Sequence, residues 1–350
     1  MPDADVIPFG APGDPDRDAG RVALGPSKAA RVVGNTGPQP TGPVVPVEGR
    51  RPVVEREPSA AGVVGTHEVW TDDEIPEGEG WLDFVRRRMA GDYGVDDFGF
   101  DPELTDKVLL SVLRPLYRSW FRVETTGLES VPSESGALIV ANHSGVIAID
   151  AAMAQVALHD EHPAHRHLRM LGANLVFQMP VMGEIARKAG HTLACQPDAE
   201  RLLAAGELVG VWPEGFKGIG KPFSQRYKLQ RFGRGGFVAA ALRTKSPIIP
   251  TAIVGAEEIY PMIANAKTIA RILGLPYFPI TPTFPWLGPV GMVPLPSKWL
   301  IHFGDPIPTD HFPEGAADDP MVVFNLTDQV REQIQQSLYR LLVKRPSAFG

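Results

Sequence analysis

One cysteine in 350 residues, Cys195, excludes an intrachain disulfide framework and any cysteine-based zinc cage. It fits a reducing compartment, with the thiol buried and inert. The chain opens on MPDADVIPFGAPGDPD, which brings acid and proline where a secretory signal carries positive charge and an apolar run. A place on the cytoplasmic side of the membrane is therefore the expectation. A basic surplus is missing too. Residues 1–80 hold 7 Lys+Arg against 14 Asp+Glu and the remainder 27 against 27, so the net charge of −7 belongs to the N-terminal part. A neutral folded portion argues against nucleic acid as a partner. Neither a Gly-x-Ser-x-Gly nucleophile elbow nor a dinucleotide fingerprint occurs.

What is present is enough apolar sequence, 43% of the chain, for a real core. Residues 1–75 are rich in Pro, Gly and charge without period and read as a disordered acidic tail. Residues 76–125 read as an N-terminal helical segment, starting near Trp81 and again at Pro102, where Asp101 can cap. Two readings compete for the second helix: core packing, or an interfacial helix whose Arg114, Arg118 and Arg122 meet anionic lipid. Pro115 predicts a kink or a break into two helices. From residue 126 to 345, short apolar strands such as GALIVAN, LVGVWPEG and PIIPTAIVG alternate with helices. That pattern predicts an α/β fold with a mixed central sheet flanked by helices. A final helix follows Asp318 or Asp319 as cap. Inside this domain, residues 272–297 carry no charge and seven prolines. The prolines forbid a regular spanning helix, and the segment either packs on the domain or lies on a membrane or lipid chain; the second is the expectation.

Two constellations carry chemistry. In VANHSGVIAID the strand delivers His143, with Asp150 beyond a short loop. A carboxylate on one ring nitrogen makes the other a proton acceptor near neutral pH, whereas a histidine that merely caps the following helix would need no such partner. In VWPEGFKG a strand ends in a turn made possible by Gly215, with Glu214 and Lys217 beside it. A basic run follows, Lys217, Lys221, Arg226, Lys228, Arg231 and Arg234, ending in FGRGG before a helix. It suits phosphate or forms a solvated cationic loop. The stretch HDEHPAHRH, with His159, His162, His165 and His167, has a proline at its centre and no helical His-Glu-His pattern; it reads as a polar surface loop rather than a metal site.

In this order the motifs resemble the glycerolipid acyltransferase superfamily, over roughly residues 105–310. Its first block, Asn-His followed by Asp, is matched by Asn142, His143 and Asp150; its third, Phe-Pro-Glu-Gly, by Trp212, Pro213, Glu214 and Gly215; its fourth, an apolar strand containing proline, by PIIPTAIVG. The resemblance implies transfer of a fatty acyl group from a thioester, acyl-CoA or acyl carrier protein, to the hydroxyl of a glycerolipid or related lipid acceptor. It implies no cofactor and no metal. His143 would be the general base and Asp150 its orienter. Asn142, Ser144, Gln196, Glu214, Gly215, Lys217, Arg226 and Arg231 would bind substrate at a peripheral membrane surface.

Departures from the family pattern matter. Six residues separate His143 from Asp150 where phosphatidic-acid-forming members have four, which looks more like the mono- and diacylglycerol acyltransferase-like branch. Gln196 stands where the second block has a phosphate-binding Arg, and Phe216-Lys217 where the third has Thr-Arg. Fewer guanidinium groups weaken bidentate phosphate recognition, which admits a neutral acceptor such as a mono- or diacylglycerol or another long-chain alcohol. The alternatives are an acyltransferase of phospholipid synthesis acting on lysophosphatidate or glycerol 3-phosphate, and a non-catalytic lipid-binding protein with the same fold.

Overall fold

The computed structural model describes residues 80–349 apart from Arg234, so the expected tail at 1–75 lies outside the described residues. A helix at Trp81–Ala90, closed by Gly91 at φ 78°, belongs to a separate unit from the domain that runs on from Tyr93.

The domain is organised by seven strands: β1 (Glu124–Thr126), β2 (Ala137–Ala141), β3 (Leu168–Gly172), β4 (Thr192–Leu193), β5 (Leu208–Val211), β6 (Ile248–Val254) and β9 (Leu300–Phe303). A separate two-stranded pair joins β7 (Ala264–Asn265) to β8 (Pro279–Ile280). The sheet order is β1-β9-β6-β2-β5-β3-β4. Strands β6, β2, β5, β3 and β4 are mutually parallel, β9 runs antiparallel to β6, and β1 is parallel to β9. This is the expected mixed α/β sheet. Its central strands are buried on both faces, which is why they read as unbroken apolar runs rather than as alternating ones.

Period two still sorts their side chains. Leu138 and Val140 of β2, with Ile248, Ala252 and Val254 of β6, face one cluster, which includes side chains of the helices Gln196–Ala204, Gly236–Thr244 and Pro320–Lys344. Ala137, Ile139 and Ala141, with Ile249 and Ile253, face the other, shared with the Ile149–Glu161 helix and with Leu110, Tyr117 and Phe121. The last helix is capped by Asp319, whose Oδ1 accepts from the Met321 N–H at 2.8 Å.

Pro115 does not break its helix. The path runs from Pro102, capped by Asp101, through to Trp120, and the turns at Thr105–Leu109 and Leu116–Trp120 widen to π-helical spacing. Phe121 N–H then bonds the carbonyl of Leu116, five residues back, so the wider turn carries the hydrogen bonding past the proline. Of the two readings of this helix, core packing fits: Leu110, Tyr117 and Phe121 are buried, and Arg114 and Arg118 both engage Asp160, at 2.9 Å each. Gly235 has φ 77°, and a Cβ there would come within 2.5 Å of the Val323 side chain and 2.9 Å of the Thr327 hydroxyl. Close approach of the C-terminal helix therefore accounts for that glycine.

Candidate active site

The register Val140↔Val211 between β2 and β5 brings their C-terminal exits side by side. Three residues beyond each lie His143 and Glu214. Asn142 fixes the first exit: its Nδ2 donates to the Ile253 carbonyl at 2.9 Å and its Oδ1 accepts from the Ile253 N–H at 2.7 Å, which continues the β2–β6 ladder through a side chain. Both amide ends are used and the residue is buried, so Asn142 holds the backbone instead of binding substrate as expected.

The His143 ring bonds Asp150 directly, Nδ1 to Oδ2 at 2.8 Å. The six-residue spacer is spanned by a loop that ends where the Ile149–Glu161 helix begins, which places Asp150 in that helix's first turn. There the carboxylate also accepts from the Ser144 N–H and the Ala151 N–H, each at 2.9 Å, and the helix dipole favours its charge. A hydrogen on Nδ1 leaves the lone pair on Nε2. That nitrogen has no hydrogen-bond partner among the described residues, and the His143 side chain retains 13% exposure while Asp150 has none. Ser144 was also expected to touch substrate; it is fully buried, and its hydroxyl is unpartnered among the described residues.

Glu214 is likewise internal. Its Oε1 accepts from the His143 N–H at 2.9 Å and its Oε2 from the Gln230 N–H at 2.6 Å, with the Lys221 ammonium 3.5 Å away. Lys221 in turn donates to Glu257 at 3.0 Å. Two carboxylates share one ammonium in a buried chain, so Lys221, which sequence places in the cationic run, is a structural cation with no charge to spare for phosphate. Burial pushes the Glu257 carboxyl up to about 7, against the pull of Lys221 and the Tyr227 N–H, and Glu214 adds to the rise.

Gly215 adopts φ 53°, ψ −143°, a backbone shape closed to other residues, and starts the short Phe216–Ile219 helix. Gly218 is a site residue that sequence reasoning passed over. A Cβ there would stand 2.7 Å from the His143 carbonyl oxygen, 2.9 Å from the His143 Cβ and 2.7 Å from the Glu214 Cβ. Its three-residue spacing from Gly215 was the available signal. Trp212 lines the same mouth, its ring 6.0 Å from that of His143. Tyr277 was also missed: its hydroxyl donates to the Val146 carbonyl, so the proline-rich segment is tied to the loop carrying His143. Burial, and then the charge of Asp150, raises the Tyr277 phenol.

The remaining expected substrate contacts are scattered. Lys217 is exposed on the short helix, and Arg231 is exposed without a hydrogen bond or ion pair among the described residues. Arg226 lies over the Phe223 ring at 4.4 Å. Gln196 donates to Glu200 at 2.9 Å, beyond the end of edge strand β4, three strand spacings or roughly 14 Å from β2. Arg234 lies outside the described residues.

Two outcomes follow. Gly218→Ala, forced against His143 and Glu214, destabilises the folded chain by about 1–3 kcal/mol; a thermal melt checks it, and an unchanged melting temperature would refute the contact. Glu257 binds its proton in the folded chain at pH values where the unfolded chain has released it. Stability therefore falls as pH rises from about 4.5 to about 7. Glu257→Gln removes this component, read as a flatter dependence of melting temperature on pH.

The Acyltransferase family model matches residues 122–254. An uncharacterised protein of Mycobacterium tuberculosis is 62% identical over 266 residues, covering 76% of this chain and 74% of its own. One from Mycobacterium leprae is 60% identical over 266 residues, 76% and 72%. A Bos taurus protein named DGAT1/2-independent enzyme synthesizing storage lipids is 25% identical over 193 residues, 55% and 54%. Among solved structures, the 1-acyl-sn-glycerophosphate acyltransferase PlsC of Thermotoga maritima aligns with a TM-score of 0.46 at 18% identity, covering 71% of this chain and 85% of that one. By sequence relationship, then, the chain belongs to one family with these mycobacterial proteins, and its residues 122–254 match the Acyltransferase family.

Proposed function

We propose that the chain transfers a fatty acyl group from a thioester, acyl-CoA or acyl carrier protein, to a hydroxyl of a neutral glycerolipid, with His143 as general base. The 2.8 Å bond between His143 Nδ1 and the buried Asp150 carries this reading, because it leaves a basic Nε2 at the mouth of the sheet. Nε2 takes the acceptor's proton as its oxygen attacks the thioester carbonyl. The tetrahedral adduct then collapses, the C–S bond breaks, and the imidazolium returns the proton to the departing thiolate, leaving ester and free thiol. Asp150 orients the ring and stabilises its cationic form.

A neutral acceptor is supported by two groups that offer phosphate no charge: the Lys221 ammonium is paired with Glu214 and Glu257, and Gln196 is uncharged and donates to Glu200. The bovine relative's name, an enzyme synthesizing storage lipids, points the same way. Exposed Lys217 favours the second reading, an acceptor bearing phosphate.

Labelled acyl-CoA and acyl carrier protein, offered with monoacylglycerol, diacylglycerol, lysophosphatidate and lysophospholipid on vesicles, test this reading. Product forms on the neutral lipids, and His143→Ala loses about 10²- to 10⁴-fold in rate. Product from phosphorylated lipids alone overturns the neutral acceptor, and full activity without the imidazole overturns the base.

We also propose that the chain works at a membrane surface. Among the described residues no helix is long and apolar enough to cross a membrane. Between Glu258 and Asp305 there is no carboxylate, while Lys267 and Arg271 carry positive charge. Trp286, Leu287 and Val290 are exposed by 71, 57 and 68%. Such a surface suits anionic lipid. Co-sedimentation with anionic vesicles falls in the double variant Trp286→Ser, Leu287→Ser; unchanged binding would remove this surface from the account.

A further inference from the structure

The histidine stretch at 159–167 divides once folded. His162 is buried, with Nε2 3.0 Å from the Val131 carbonyl, so the expectation of a surface loop fails for it. His165 is exposed and its Nδ1 lies 2.7 Å from the His159 carbonyl. The other two turn toward a third group. His159, in the last turn of the Ile149–Glu161 helix, has Nε2 3.2 Å from Asp106 Oδ1, and His167, just before β3, has Nε2 3.5 Å from the same oxygen. One donor atom from each residue falls within 4.8 Å of the other two.

We propose that Asp106, His159 and His167 form a binding site for a divalent transition metal of the zinc type. Two ligands about 2.0–2.1 Å from a tetrahedral zinc lie about 3.3–3.4 Å apart, between the two separations found here. Hydrogen bonding alone leaves the cluster incomplete. Asp106 Oδ1 is buried, and neither imidazole nitrogen beside it, His159 Nε2 at 3.2 Å or His167 Nε2 at 3.5 Å, makes a well-formed hydrogen bond to it. Buried polar atoms left in this way call for an ion or a water. The surroundings also fit a metal site. His159 turns its other nitrogen, Nδ1, to Asp160 Oδ1 at 3.3 Å, the carboxylate–histidine arrangement that orients metal-binding imidazoles. Asp160 is held in place by Arg114 and Arg118.

Two imidazoles and one carboxylate oxygen suit zinc, and three protein ligands leave a coordination position for water. The role is structural. His159 is nine residues along its helix from Asp150, about 13 Å, and His167 precedes β3, whereas the His143 site follows the opposite ends of the parallel strands. The metal would staple the Pro102–Trp120 helix to the junction between the Ile149–Glu161 helix and β3.

The full chain, purified without a histidine tag and stripped with EDTA, tests the proposal by calorimetric titration with Zn²⁺ and by melting with and without it. One ion binds per chain and raises the melting temperature. His167→Gln and Asp106→Asn abolish that rise, His165→Gln keeps it, and Asp160→Asn weakens affinity about 10- to 100-fold. Metal-free melts of the variants near that of the wild type show that they fold. Bound Co²⁺ gives a visible spectrum that His167→Gln loses. No saturable binding to the wild type, or binding unchanged in both Asp106→Asn and His167→Gln, overturns the site.

Discussion

The geometry around His143 depends on one buried carboxylate. Glu214 leaves β5 three residues beyond Val211, and its register partner Val140 leads in three residues to His143, so the side chain of one exit meets the backbone of the other. With one oxygen on the His143 N–H and the other on the Gln230 N–H, Glu214 clamps two loops, and Lys221 balances its charge. Removing a buried ionic partner typically costs about 3–5 kcal/mol, because the charge left behind is uncompensated. The Pro-Glu-Gly motif therefore acts by holding His143 in place. Gly215 permits the turn and Gly218 permits the contact.

Against this fixed backbone the candidate pair, His143 and Asp150, is assembled from two further constraints. The sheet delivers His143 at the carboxyl ends of parallel strands, where loops are free to carry chemistry. The following helix supplies Asp150 in its first turn, with two backbone N–H groups on the carboxylate besides the ring. A histidine held at its ring Nδ1 by Asp150 and at its backbone N–H by Glu214 has little freedom left, and its Nε2 is presented with small entropic cost.

The same loop meets the long connection between β6 and β9. Tyr277 reaches Val146, Tyr260 donates to the Met292 carbonyl at 2.5 Å, and Trp120 donates to that of Pro294 at 2.9 Å. These bonds satisfy part of the connection's polar backbone internally while Trp286, Leu287 and Val290 stay outside. Part of this segment, including the Tyr277 side chain and the carbonyls of Met292 and Pro294, thus packs on the domain, while Trp286, Leu287 and Val290 face outward.

The α/β alternation, the strands that become the sheet centre, the Asp101 and Asp319 caps and the candidate pair His143 and Asp150 were legible in the sequence. Each depends on neighbours a few residues away: apolar runs, a proline after a capping acid, a histidine at a strand end. Tertiary structure decided which polar residues face inward. Asn142 and Ser144 look like site residues and are buried; Lys221 looks like a phosphate ligand and is cancelled by Glu214 and Glu257. Asp106 joins His159 and His167 from 53 and 61 positions earlier. The physical reason is the same in every case. The cost of burying a polar group is offset by whichever partner the fold brings within about 3 Å, and no local pattern records a partner supplied by another element.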